Sequence, residues 1–150
     1  MIKLVLAKSK SSVETILFKD NDFVISITNP SDNIAVLSIK ESNILRFSFS
    51  DIMPSNKKNY SHHFENEKSF HIDDAKVIVA KIIELANDTK EWNLIIHCVL
   101  GVSRSGAIAT FALSHSDMKD YDFAACNSNI KPNDWVYQLL CFVEENKLYK

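Results

Sequence analysis

Cys98 and Arg104 are separated by five residues, Val99-Leu100-Gly101-Val102-Ser103. The pair stands between an apolar run, Leu94-Ile95-Ile96-His97, and a helix-prone run that begins Ser105-Gly106-Ala107-Ile108. That order reads as strand, tight loop, helix. In such a loop successive backbone N–H groups turn inward and form a nest for a tetrahedral anion. The positive end of the following helix adds to the field. Arg104 brings a planar fork that can grip two oxygens of a phosphoryl group. Cys98, in the same field, is expected to carry a depressed pKa and to stand largely as thiolate. A thiolate at the base of an oxyanion cradle is a nucleophile aimed at phosphorus. The chain has two glycines, and both lie here, Gly101 within the loop and Gly106 just after it. Average usage would put about ten in a chain this long. The residue is kept for the place where the backbone must curl most tightly.

The elements that must hold this loop are legible on either side of it. Trp92 to His97 reads as a central strand, apolar on both faces as a parallel strand covered by helices requires. Arg104 to His115 is apolar nearly all round and predicts a buried helix. Upstream, 2–7, 22–27, 34–39 and 44–49 are short apolar or alternating runs that predict strands, and Ser11 or Ser12 offers an N-cap for a helix over 12–19. Residues 71–88 predict a helix with Ala75, Val79, Ile82, Ile83 and Ala86 on one face and Asp73 and Asp74 in its first turn. Further helices are expected over 120–126 and 134–146, the last with Trp135, Leu139, Phe142 and Val143 turned inward. Residues 50–69 are polar and irregular, long for a connection in a compact domain and so a candidate functional loop. Strands mixed with helices, without repeat or linker, predict a single α/β domain over 1–150. Its central, mostly parallel sheet should have about four or five strands flanked by helices. The site should open at the carboxyl end of the central strand.

Composition narrows the function classes. The chain has 150 residues, 46% of them hydrophobic, and a net charge of −2, which suits one domain with a real core. The near-neutral balance gives no electrostatic case for nucleic acid or a membrane surface as partner. No apolar run approaches the roughly 20 residues of a membrane span. The opening Met1-Ile2-Lys3-Leu4-Val5-Leu6-Ala7 is too short for a signal peptide and reads as a first strand. Three cysteines, Cys98, Cys126 and Cys141, lack metal-like spacing, and a catalytic thiolate points to the reducing cytoplasm. Cys126 and Cys141 are expected to be small buried apolar residues. His62, His63 and His71 read as parts of a polar loop and not as metal ligands.

His97-Cys98-x-x-Gly101-x-x-Arg104-Ser105 resembles the signature of the cysteine-dependent protein tyrosine and dual-specificity phosphatases. The resemblance implies a dual-specificity-phosphatase-like fold. It also implies a metal- and cofactor-independent hydrolase acting on phosphotyrosine in a phosphorylated protein or peptide, with phosphoserine and phosphothreonine as further substrates. His97 would orient the cysteine and, with Val99 to Arg104, form the phosphate site, and Ser105 would help the thiolate leave. Leu100 departs from the alanine common in small dual-specificity members. The loop has no lysine, which makes the phosphoinositide-directed members a poorer comparison.

Cleaving a phosphate ester also needs a proton for the leaving oxygen. The family takes it from an aspartate upstream of the cysteine. Asp51 follows the run Leu45-Arg46-Phe47-Ser48-Phe49 and precedes Pro54, in keeping with that arrangement. It lies 47 residues before Cys98, a longer separation than the family usually shows, which requires an insertion within 50–69. Asp73 and Asp74 are the rivals, and a place in a helix's first turn already accounts for both. Lys57, Lys58, Tyr60 and Phe64 stand either at the pocket mouth or on a solvated loop. Two other functions share the cradle: a module that binds phosphoproteins without turnover, and a sulfur- or arsenate-handling enzyme.

Overall fold

A computed structural model describes residues 1–53 and 68–150. Its centre is a four-stranded, all-parallel sheet: β1 (Ile2–Ser9), β2 (Asp22–Thr28), β3 (Ile44–Ser48) and β4 (Trp92–Cys98), in the order β1-β4-β2-β3. The strand that leads into the Cys98 loop is therefore internal, with β1 on one side and β2 on the other. Leu94 and Ile96 enter the main core, and Ile95 enters a smaller one on the opposite face with Val13, Val24 and Ile44. Burial on both faces is what the unbroken apolar run required.

Three helices close the main core. They are α2 (Ile72–Asn87), α3 (Arg104–Leu113) and α5 (Asp134–Glu145). A shorter helix, α4 (Asp120–Cys126), contributes Phe123. The N-terminus of α2 is capped by His71, whose Nδ1 accepts from Asp73 N (3.3 Å), while Asp74 Oδ2 accepts from His71 N (3.1 Å). This reciprocal cap explains where the helix begins. The open edge of β1 is covered by Asn127. Its Oδ1 accepts from Ala7 N (2.7 Å) and its Nδ2 donates to Val5 O (3.0 Å), which blunts the edge against pairing with another chain.

The structure corrects several expectations. Residues 34–39 form no strand, which leaves four of the expected four or five. Leu37 and Ile39 lie over the smaller core instead. The local backbone bonds to side chains in place of a ladder: Ala35 O accepts from Arg46 Nη1 (3.1 Å), Val36 N donates to Glu14 Oε2 (3.1 Å), and Asn33 O accepts from Lys10 Nζ (2.7 Å). The helix expected over 12–19 is one turn, α1 (Lys10–Val13), capped by Ser9, which accepts from Ser12 N at 3.2 Å. On α5 Val143 is buried and Trp135 and Leu139 pack against the core as expected, but the innermost stripe also takes in Val136 and Leu140, and Phe142 is 49% exposed. Both stripes are apolar, and packing against α2 and α3 selects between them. Cys126 is exposed, because α4 buries Phe123 alone, and Cys141 on α5 is half-buried.

The 50–69 segment is closed at its base. Ser50 N donates to Lys68 O (2.6 Å), and the Phe49 and Phe70 rings pack at 4.8 Å between centroids. Trp135 Nε1 donates to Phe70 O (3.0 Å), which fastens the same base to α5. Lys57, Lys58, Tyr60, His62, His63 and Phe64 lie outside the described residues. Among the described residues no helix is long and apolar enough to cross a membrane.

Candidate active site

Register brings the parts together. The carboxyl ends of β1 and β4 lie side by side, Ser9 opposite Cys98 and Lys8 opposite His97. Gly101 turns with φ of +73°, and a Cβ there would fall 2.4–2.7 Å from the backbone of Lys8 and Ser9. The loop thus rests directly on the end of β1, and glycine provides both the turn and the clearance.

The loop's outward carbonyls are anchored by two other chain segments. Val99 O accepts from Lys10 N (3.2 Å), Val102 O from Lys131 N (3.0 Å), and Ser103 O from Asn133 N (3.1 Å). No peptide is cis. In a trans peptide the C=O and the following N–H point to opposite sides. Anchoring these three carbonyls outward therefore turns the N–H groups of Leu100, Ser103 and Arg104 inward. Three N–H groups turned to one side of a loop are the arrangement of an anion nest. Leu100 is 76% exposed, so its bulk lies outside the nest.

Cys98 is buried at the base, its Sγ 3.1 Å from Ser105 Oγ. Burial alone would raise its pKa. The Ser105 hydroxyl, the amides of Ser105 and Gly101, and the charge of Arg104 outweigh burial and hold the thiol below its ordinary value. Arg104 is also buried. Its Nη1 donates to Asn29 Oδ1 (2.7 Å) and to Phe49 O (2.8 Å), while its Nε has no partner among the described residues. Buried donors are ordinarily paired, and an orphaned guanidinium N–H beside this loop is the kind of donor that an anion site would use.

His97 sits behind the loop and does not line it. Its Nδ1 lies 3.4 Å from Cys98 O and its Nε2 2.6 Å from Ser26 Oγ. A carbonyl only accepts, so the ring proton belongs on Nδ1, and Nε2 accepts from the Ser26 hydroxyl. Burial lowers the His97 pKa, which suits this neutral ring.

Asp51 stands at the loop's rim. Its Oδ1 accepts from Ser103 Oγ and from Asn133 Nδ2, each at 2.8 Å. A cleft of about 380 Å³ opens beside it, lined by Ile52, Met53, Ser103, Pro132, Asn133 and Asp134. Asp73 and Asp74 are engaged at the start of α2, with His71 and Lys76 as partners. Of the three aspartates, Asp51 is the one bonded to the loop. Three polar residues of the site escaped the sequence reading: Ser26, Asn29 and Asn133. A serine within the apolar run Phe23-Val24-Ile25-Ser26-Ile27 was a readable signal, since a buried hydroxyl needs a partner. Among the described residues no three His, Cys, Asp or Glu side chains gather into a metal site. No protein-family model matches the chain, and no curated protein matches it.

Proposed function

We propose that the protein is a cysteine phosphatase of the dual-specificity type, acting in the cytoplasm on phosphotyrosine and, secondarily, phosphoserine or phosphothreonine in a protein or peptide. The observation that carries this reading is the set of groups gathered on one buried thiol: the Ser105 hydroxyl 3.1 Å from Cys98 Sγ, the amides of Ser105 and Gly101 and the charge of Arg104 together hold it below its ordinary pKa. Cys98 Sγ attacks phosphorus in line with the ester oxygen. The S–P bond forms as the P–O bond breaks, and Asp51 gives its proton to the departing oxygen. Water then attacks the phosphocysteine, Asp51 takes a proton from it, and the Ser105 hydroxyl donates to the thiolate as it leaves. The loop amides and Arg104 stabilise the equatorial oxygens in both steps. Those donors supply the charge stabilisation that a metal supplies in other phosphoryl-transfer sites, so the chemistry calls for no metal or cofactor.

Hydrolysis of 4-nitrophenyl phosphate is the test. Wild type should turn over, Cys98→Ser should lose turnover and keep phosphate binding, and Asp51→Ala should slow the reaction and flatten the alkaline limb of its pH profile. Turnover by Cys98→Ser refutes the mechanism. Phosphate binding without turnover by wild type moves the protein to the phosphate-binding modules.

A further inference from the structure

Asn133 is where three parts of the site meet. Its backbone N–H donates to Ser103 O (3.1 Å), which helps turn the Arg104 amide inward. Its Oδ1 caps α5 by accepting from Val136 N (3.1 Å), and its Nδ2 donates to Asp51 Oδ1 (2.8 Å). The side chain is buried, and the cap settles its orientation: the oxygen must face the Val136 N–H, so the NH₂ must face Asp51. Ser103 Oγ donates to the same Asp51 oxygen. Asp51 is thus clamped through Oδ1 by two donors, and Oδ2 has no partner among the described residues. A carboxyl group held in this way accepts through Oδ1 whether or not it is protonated, and carries its proton on Oδ2.

We propose that Asn133 is a positioning residue for proton delivery. It aims Asp51 Oδ2 at the leaving oxygen and registers that carboxyl against the phosphate loop through one side chain. The inference rests on the phosphatase reading with Asp51 as general acid. It predicts that losing the Nδ2 donor impairs protonation of the leaving group and leaves the anion nest intact.

The test compares kcat/KM, which reports ester cleavage, on phenyl phosphate and on 4-nitrophenyl phosphate. Phenolate needs the proton far more than nitrophenolate does. Asn133→Asp keeps the α5 cap and the backbone N–H but sets a carboxylate against Asp51; Asn133→Ser keeps a capping oxygen with no reach. Either variant should lose on the order of tenfold or more on phenyl phosphate, within the range general acids contribute, and much less on 4-nitrophenyl phosphate. Inorganic phosphate affinity, read on Asn133→Ser, which adds no charge beside the nest, should stay at the wild-type level. Adding Asn133→Asp to Asp51→Ala should cause no further loss on phenyl phosphate. Equal losses on both substrates, weakened phosphate binding, or an additive double variant would overturn the proposal. Wild type that hydrolyses neither substrate would instead remove the phosphatase reading on which it stands.

Discussion

Gly101→Ala tests the seat of the loop without assuming any reaction. At φ of +73° an alanine pays for the left-handed backbone, about 1–2 kcal/mol. Its Cβ would also fall 2.4 Å from Lys8 C, 2.5 Å from Ser9 N and 2.7 Å from Lys8 O. Comfortable carbon contacts begin near 3.5 Å, so each approach is roughly 1 Å too close. Those atoms cannot retreat freely, because Lys8 and Ser9 are paired with His97 and Cys98 in the sheet. Overpacking of this kind adds about 1–3 kcal/mol, so the whole penalty is about 2–5 kcal/mol. That is a large share of the roughly 5–15 kcal/mol that holds a domain together. The penalty can surface in two ways: the fold loses stability, or the loop lifts off β1 and its inward amides diverge. Urea denaturation and calorimetric titration with inorganic phosphate, run on the same variant, detect both. Gly106→Ala is the control. Its Cβ would meet one atom, Ile130 Cβ, at 3.0 Å, so Ile130 has to shift by a few tenths of an ångström and a loss of about 1 kcal/mol is expected. A Gly101→Ala protein with wild-type midpoint and wild-type phosphate affinity would refute the account of the loop.

Alkylation of Cys98 by iodoacetamide, followed by mass spectrometry across pH, should reach half its limiting rate below the ordinary thiol value of about 8.5, and Ser105→Ala should move that midpoint upward. Cys141, whose pKa burial raises, serves as the internal contrast, and a Cys98 midpoint at or above the ordinary value would contradict the geometry. His97 predicts acid sensitivity of the fold. Burial holds its folded-state pKa below about 6.5, so as pH falls through that value the unfolded chain takes the proton first and stability drops, by up to about 1.4 kcal/mol per pH unit. Urea midpoints between pH 7 and pH 5 should show this slope in wild type and a shallower one in His97→Gln; equal slopes would reject it. Ser26→Ala leaves His97 Nε2 buried without its donor and should cost about 1–3 kcal/mol at neutral pH, read from the same midpoints.

The cradle was legible because its chemistry fixes residue type and spacing together. A thiol, a glycine and a guanidinium at set intervals between an apolar strand and an apolar helix leave little freedom. The four strands and the helices α2 to α5 were also readable from periodicity, with ends displaced by a residue or two. What escaped depended on partners far away in the chain. The run Ile34-Ala35-Val36-Leu37 suits a strand as well as a covering segment, and the choice falls to Arg46, Glu14 and Lys10, which take its backbone groups. The face of α5 was ambiguous because Trp135, Leu139 and Phe142 form a second apolar stripe beside Val136, Leu140 and Val143. Asn133, next to Pro132 and just ahead of a helix, has the sequence context of a turn residue or N-cap, and it is the N-cap of α5. Its tie to Asp51 spans 82 residues and exists only once α5 has docked.

The same long-range ties explain how the loop is ready before any ligand arrives. One support comes from the first ten residues, through Lys10 N and the backbone of Lys8 and Ser9. The other comes from 131–133, just ahead of α5. Each takes carbonyls from the outside of the loop, and so each turns N–H groups to the inside. Neither uses a side chain of the anion site itself. The donors are therefore oriented by bonds that persist whether the site is filled or empty, which is the condition for stabilising charge without reorganisation. Arg104 follows the same design, with one guanidinium nitrogen bonded to Asn29 and Phe49 and another left unfilled. Asp51 does as well, with one oxygen clamped and one unpartnered among the described residues. In each group the fold holds one polar atom fixed and leaves another without a partner among the described residues, the division of labour that the proposed phosphate site requires.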